Sequence, residues 1–167
     1  RFLSSFELLL GRRQPLLLGS TISEDNLMFA ADLTNPDVVK DGHLVLARGL
    51  LHVFRTRVLA NGGCVERIRV ANHALQPIEV TLALRFDADF ADIFEVRGTR
   101  RPRRGERLAD VTGSDHVLRY RGPDGDDRRT RIRPIHPPDR AENGLFSYRL
   151  LLEPHGTSEL EVTAACE

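Results

Sequence analysis

Apolar and polar residues alternate with a period of two along most of this chain. Ile78, Val80, Leu82, Leu84 and Phe86 fall on one face of an extended segment, and Glu79, Thr81, Arg85 and Asp87 on the other. A strand with one face against a core and one against water has this pattern, because successive side chains point to opposite sides. Farther on, Phe146, Tyr148, Leu150 and Leu152 oppose Ser147, Arg149 and Glu153, and Leu160, Val162 and Ala164 oppose Glu159, Glu161 and Thr163. Pro154-His155-Gly156 lies between these two segments and predicts a turn that joins them as an antiparallel hairpin.

A second hairpin is predicted around Asn61-Gly62-Gly63, joining a strand near 50–60 to one near 64–72. Asn and Gly tolerate the positive φ that tight hairpin turns demand. A third spans about 116–135, with Pro123-Asp124-Gly125-Asp126-Asp127 at its tip. Segments 15–22 and 27–34 read as strands separated by the polar stretch from Ser20-Thr21 to Asn26. The turn signals give about nine or ten strands and no helical period, which predicts an all-β, antiparallel β-sandwich. Periodicity is weakest over 88–113. There Asp89 to Glu95 has room for one helical turn, and 98–107 reads as loop.

Composition narrows the function classes. A chain of 167 residues is long enough for one domain that buries roughly 70% of its unfolded surface. Formal net charge is zero, so no global field draws in nucleic acid or an anionic membrane. Lys40 is the sole lysine among the basic residues. Cys64 and Cys166 are far apart and share no metal-ligand spacing, which points to a reduced, cytoplasmic protein without cofactors. No apolar run reaches the ~18 residues of a membrane span. The chain opens on Arg1 and goes straight into a domain-like pattern, then closes at Glu167 directly after a strand pattern. It is therefore expected to be one domain, residues 1–167, of a longer protein.

The candidate chemistry is concentrated in Leu84 to Gly105, LRFDADFADIFEVRGTRRPRRG. An apolar strand runs into a carboxylate corner, Asp87, Asp89, Asp92 and Glu95, and then into an arginine loop, Arg97, Arg100, Arg101, Arg103 and Arg104. Charge sorted this sharply by sign needs a receiver, either the domain itself or a partner surface. Two acids at i and i+2 on an extended segment stand about 6–7 Å apart, close to the separations that glycosidases use. Any such pair comes near these windows, so the spacing does not select catalysis over acids that cap turns and pair with nearby arginines. A calcium loop is disfavoured because Ala88, Phe90, Ala91 and Ile93 interleave and no Gly comes before Gly98.

The arginine loop lacks interleaved aromatics for base stacking, which argues against nucleic acid. Its side chains are read as meeting carboxylates on a neighbouring domain or on this one, where bidentate geometry gives specificity, or as solvated. The six histidines, His43, His52, His73, His116, His136 and His155, form no zinc or triad pattern. With no Trp and only Tyr120 and Tyr148 as tyrosines, the chain offers no strong aromatic platform for sugars.

Several motifs carry a family resemblance. SSFELLL, TISEDN, DLTNPD, RGLLHVFRTRVLANGGCVERIRVAN and above all RFDADFADIFEVRG make the chain similar to the N-terminal β-sandwich domain of bacterial and archaeal glycogen debranching enzymes of the amylo-α-1,6-glucosidase type. The resemblance is continuous from about Leu3 to Arg104 and looser from there to Glu167. It implies a supersandwich-like domain that precedes an (α/α)-barrel carrying two catalytic acids, with a strand or so usually ahead of the present first residues. Those acids have no counterpart here, so the chain itself is expected to be non-catalytic and to have the C-terminal catalytic domain of the same polypeptide as its partner. The residues from Asp87 to Arg104 are then the expected interdomain contact. The alternative is an autonomous module that binds α-glucan.

Overall fold

The alternating segments fold as strands, and each places its apolar residues inward. The computed structural model describes residues 1–100, 103–142 and 144–167, with Lys40 described through its backbone only. Its strands are β1 (Ser5–Leu10), β2 (Leu16–Ile22), β3 (Met28–Thr34), β4 (Val38–Lys40), β5 (His43–Leu46), β6 (Leu51–Ala60), β7 (Gly63–Asn72) and β8 (Ile78–Asp87). After the single-turn helix α1 (Ile93–Val96) come β9 (Glu106–Thr112), β10 (His116–Arg121), β11 (Asp127–Pro134), β12 (Arg140–Glu142), β13 (Leu145–Leu152) and β14 (Thr157–Cys166).

Two antiparallel sheets form a sandwich. The smaller has the order β1-β8-β13-β12 and the larger the order β2-β3-β6-β7-β14-β11-β10-β9, with β4 and β5 as a separate ribbon. The core lies between the sheets. Ile78, Val80, Leu82, Leu84 and Phe86 face it from β8, and Phe146, Tyr148, Leu150 and Leu152 from β13. Ile68 and Val70 of β7, Leu160 and Val162 of β14 and Ile132 of β11 meet them from the larger sheet. None of the described helices is long and apolar enough to cross a membrane.

The hairpin at Asn61-Gly62 is present, with Ala60 opposite Gly63. Both turn residues take positive φ, +50° and +73°, as a two-residue hairpin loop of this twist requires. The 116–135 hairpin is also present as β10 and β11, and the segments near 15–22 and 27–34 pair as β2 and β3.

One expected hairpin is not. β13 pairs with β8 and β12 in the smaller sheet, while β14 pairs with β7 and β11 in the larger one. Pro154-His155-Gly156 is therefore an arch that carries the chain from one sheet to the other. Alternation reports which face of a strand is buried, and both sheets bury a face against the same core, so the pattern cannot distinguish a hairpin from an arch. The strand count is also higher than the turn signals give, at fourteen among the described residues. β9, in the 88–113 region of weakest periodicity and overlapping the expected loop at 106–107, is an edge strand exposed on both faces and so has no apolar alternation to read.

Buried polar side chains fasten the sheets together. Asn72, at the end of β7, donates from Nδ2 to the carbonyls of Gln76, Leu152 and Glu153 and accepts the Ala74 amide. It thus ties the β7–β8 arch to the β13–β14 arch. On the inner face of the larger sheet, the fully buried Glu66 carboxylate accepts from Arg55 at Oε1 and from Arg57 at Oε2, the latter Nε at 2.8 Å. Arg55 also donates to the Phe6 carbonyl of β1 at 3.1 Å, and both guanidinium groups lie within 6 Å of the Phe6 ring centroid. This three-residue ion cluster clamps the edge of the smaller sheet onto the larger.

Candidate functional site

The charged excursion begins where β8 ends. Asp87 leaves the sheet with its side chain accepting the Ala88 amide at 2.8 Å and Arg107 Nη1 at 3.0 Å. The chain then folds inward for three residues. Ala88, Phe90 and Ala91 are buried, and Phe90 takes φ +50°. Its ring stacks on Tyr120, with centroids 5.1 Å apart and planes 7° from parallel, and meets Phe2 edge-on. The alternation of acid and apolar residue through 87–91 therefore reflects an anchor in which apolar side chains go in and acids stay out.

Every acid of the corner has a partner inside the domain. Asp89 is paired with the Arg1 guanidinium and accepts the Ala91 amide at 3.1 Å. The Arg1 hydrogen bonds, then the Ala91 amide, lower its carboxyl from 3.8 to about 2. Asp92 is the N-cap of α1. Its Oδ1 accepts the Phe94 and Glu95 amides at 2.8 and 2.9 Å, and Glu95 Oε2 accepts the Asp92 amide at 3.0 Å, a reciprocal capping box. The expected helical turn is thus present, at its C-terminal part. Glu95 Oε1 also pairs with Arg104 Nε at 2.8 Å.

This arrangement gives Asp87 and Asp89 each a structural role within the domain. Asp87 and Asp89 serve different arginines, and a carboxyl held near 2 is not the protonated acid that glycosidic cleavage needs near neutrality.

The cations behave differently. Arg104 is engaged by Glu95 and reaches the Asp89 carbonyl at 3.4 Å. Arg97, Arg100 and Arg103 are exposed and make no side-chain hydrogen bond or ion pair among the described residues. Arg101 lies outside the described residues. Beside these arginines, α1 buries no residue, and Ile93, Phe94 and Val96 are 58%, 54% and 48% exposed. The Glu95–Arg104 pair lines both of two open clefts, each of about 520 Å³. One runs along Val96, Gly98 and Arg100 and the other along Arg103, Tyr120 and Arg128. The excursion therefore pairs Asp87, Asp89 and Glu95 with arginines of the same domain, and α1 with the arginines beside it presents apolar and cationic groups outward.

Reading the sequence did not identify Arg1 or Tyr120 as parts of this site, since they reach it only through the tertiary fold. It also missed a groove on the outer face of the larger sheet, lined by Phe54, Arg67, Arg69, His136, Glu159 and Glu161.

Comparison with known proteins places the chain. A candidate kojibiose phosphorylase from the human microbiome superposes with a TM-score of 0.64 at 9% identity, covering 100% of this chain and 22% of that one. A polysaccharide lyase (TM-score 0.46, 15% identity, 99% and 25% covered) and a galactose mutarotase related enzyme from Lactobacillus acidophilus (0.42, 9%, 93% and 72%) are more distant. The first likeness shows a shared fold, and this chain spans about a fifth of that protein's length. No curated protein sequence matches. Residues 1–163 match the family described as the N-terminal domain of some glycogen debranching enzymes. The chain belongs to that family of N-terminal domains of glycogen-debranching, glycoside-hydrolase-type enzymes.

Proposed function

We propose that this chain is the non-catalytic N-terminal domain of a glycogen debranching enzyme of the amylo-α-1,6-glucosidase type, and that it supports and orients a C-terminal (α/α)-barrel that cleaves α-1,6-glucosidic branches. Its excursion from Asp87 to Arg104 is the contact with that barrel. The family match supports the parent class. The observation that carries the contact is the division of labour within the excursion. Its acids fix the loop and turn through ion pairs and caps within the domain, and α1 with Arg97, Arg100 and Arg103 faces outward from a rigid sheet. Exposed aliphatic side chains ringed by arginines suit a partner surface with an apolar centre and carboxylates around it. The internal pairing of Asp87, Asp89 and Glu95 narrows the contact to the outward-facing side chains.

The test uses the full-length protein in which this domain is followed by the barrel. Changing Arg97, Arg100 and Arg103 together to Ala is expected to weaken interdomain cohesion, read as separate thermal transitions, and to lower the rate of branch-point hydrolysis. Unchanged cohesion and unchanged hydrolysis would remove the proposed contact.

A further inference from the structure

We propose that the outer face of the larger sheet carries a binding groove for a short neutral oligosaccharide, a segment of α-glucan, held between Phe54 and the Ile135–His136 loop. The strand order β6-β7-β14-β11 fixes its layout. Phe54 and Thr56 of β6 line one side, Ile135 and His136 beyond β11 line the other, and β7 and β14 make the floor. Register places Arg69 opposite Phe54 and Glu159 opposite Arg69, with Thr56, Arg67 and Glu161 forming the next row. The cavity measures about 530 Å³, within the range of small-ligand sites.

The loop side is anchored. The Ile135 amide donates to the Glu161 carbonyl at 2.9 Å, and the Tyr148 hydroxyl donates to the His136 carbonyl at 3.4 Å. The groove therefore does not depend on a mobile flap.

The lining selects the ligand class. Two guanidinium groups and two carboxylates cancel, so the floor attracts neither anion nor cation. Arg67 Nε and Glu161 Oε2 are 2.6 Å apart, whereas Arg69 Nε and Glu159 Oε1 are 3.9 Å apart. The wider pair leaves donors and acceptors side by side for a third group. Hydroxyls, which donate and accept at once, match such a row. Phe54 is 38% exposed on a strand, which gives a flat apolar surface suited to the C–H face of a pyranose ring. A polyhydroxylated, uncharged, ring-built molecule meets these demands together. The choice of α-linked glucose rests on the function proposed above, whereas the layout of the groove does not.

The test is titration of the chain with maltoheptaose, followed by two-dimensional amide NMR. Saturable shifts confined to β6, β7, β14 and residues 135–136 are expected at millimolar sugar. Phe54→Ala should weaken the affinity about tenfold, and Arg69→Ala should weaken it as well, with thermal unfolding showing that each variant remains folded. No saturable shift, or an affinity that both variants leave unchanged, would overturn the groove. Equal affinity for a β-1,4-linked glucose oligomer would overturn the assignment to α-glucan. Failure here leaves the barrel contact standing, because that contact is read from cohesion and hydrolysis in the full-length protein.

Discussion

Replacing Glu66 with Gln tests whether the buried ion cluster holds the two sheets together. The Glu66 side chain is fully inaccessible, and Arg55 and Arg57 beside it are 13% and 30% exposed. Each carboxylate oxygen takes its own guanidinium, and at Oε2 both Nε and Nη2 of Arg57 approach, at 2.8 and 2.7 Å. Gln keeps the shape but sets an NH2 group against one guanidinium and removes the charge that compensates two cations. Breaking a buried pair from one side costs about 3–5 kcal/mol, a large part of the roughly 5–15 kcal/mol that stabilises a domain. At about 2–4 °C per kcal/mol for a chain of this size, Tm should fall by roughly 10 °C. Circular dichroism at pH 7 would measure it, with Glu161→Gln in the outer ladder as the control for an exposed pair. Because little water reaches the cluster, added salt should not close the gap. Replacing Glu66 by Leu with Arg55 and Arg57 by Met should recover most of the loss, since the apolar isostere carries no unpaired charge. A fall in Tm no larger than the control's would refute the clamp.

Two further perturbations separate the other fasteners. Asn72→Ala leaves the carbonyls of Gln76, Leu152 and Glu153 and the Ala74 amide without their partner. It should cost about 2–3 kcal/mol in urea unfolding at unchanged m-value. Asp89 titrates at about 2 when folded against 3.8 ordinarily. A depressed carboxyl pKa stabilises the folded state above the unfolded value and loses that contribution as pH falls through the folded one. Asp89→Asn should therefore lower stability at pH 6 by about 1 kcal/mol, after allowance for solvent screening, and the two proteins should converge as the pH approaches 2.

Much of the fold was legible wherever one strand face is apolar throughout, as in β8, β13 and β14. Where another constraint interrupts the alternation, the strand was legible but its buried face was not. In β6, Leu51 and Val53 point inward but so do Arg55 and Arg57, while Phe54 and Val58 point out, so no apolar face runs its length. The arginines belong inside because Glu66 does, and that partnership is set by strand pairing that a local pattern does not contain. In the candidate site, the sorting of charge was visible but its receiver was not. Asp89 meets Arg1 across most of a sheet's worth of sequence, and Asp87 meets Arg107 from another strand. The capping role of Asp92 was the most local of these contacts and the nearest to being readable, as an acid three residues before Glu95.

The position of β14 has a consequence for how the protein is made. This strand follows all the others in sequence, yet it lies between β7 and β11 in the middle of the larger sheet. Until a ribosome has delivered residues 157–166, that sheet consists of two separate halves, each with a bare pairing edge where β14 belongs. Before that strand emerges the sandwich interior cannot be sealed, and the decisive step in closing this domain is its insertion into a waiting slot. Such long-range closure is slow compared with local pairing, so nascent chains spend their most aggregation-prone interval just before this strand emerges.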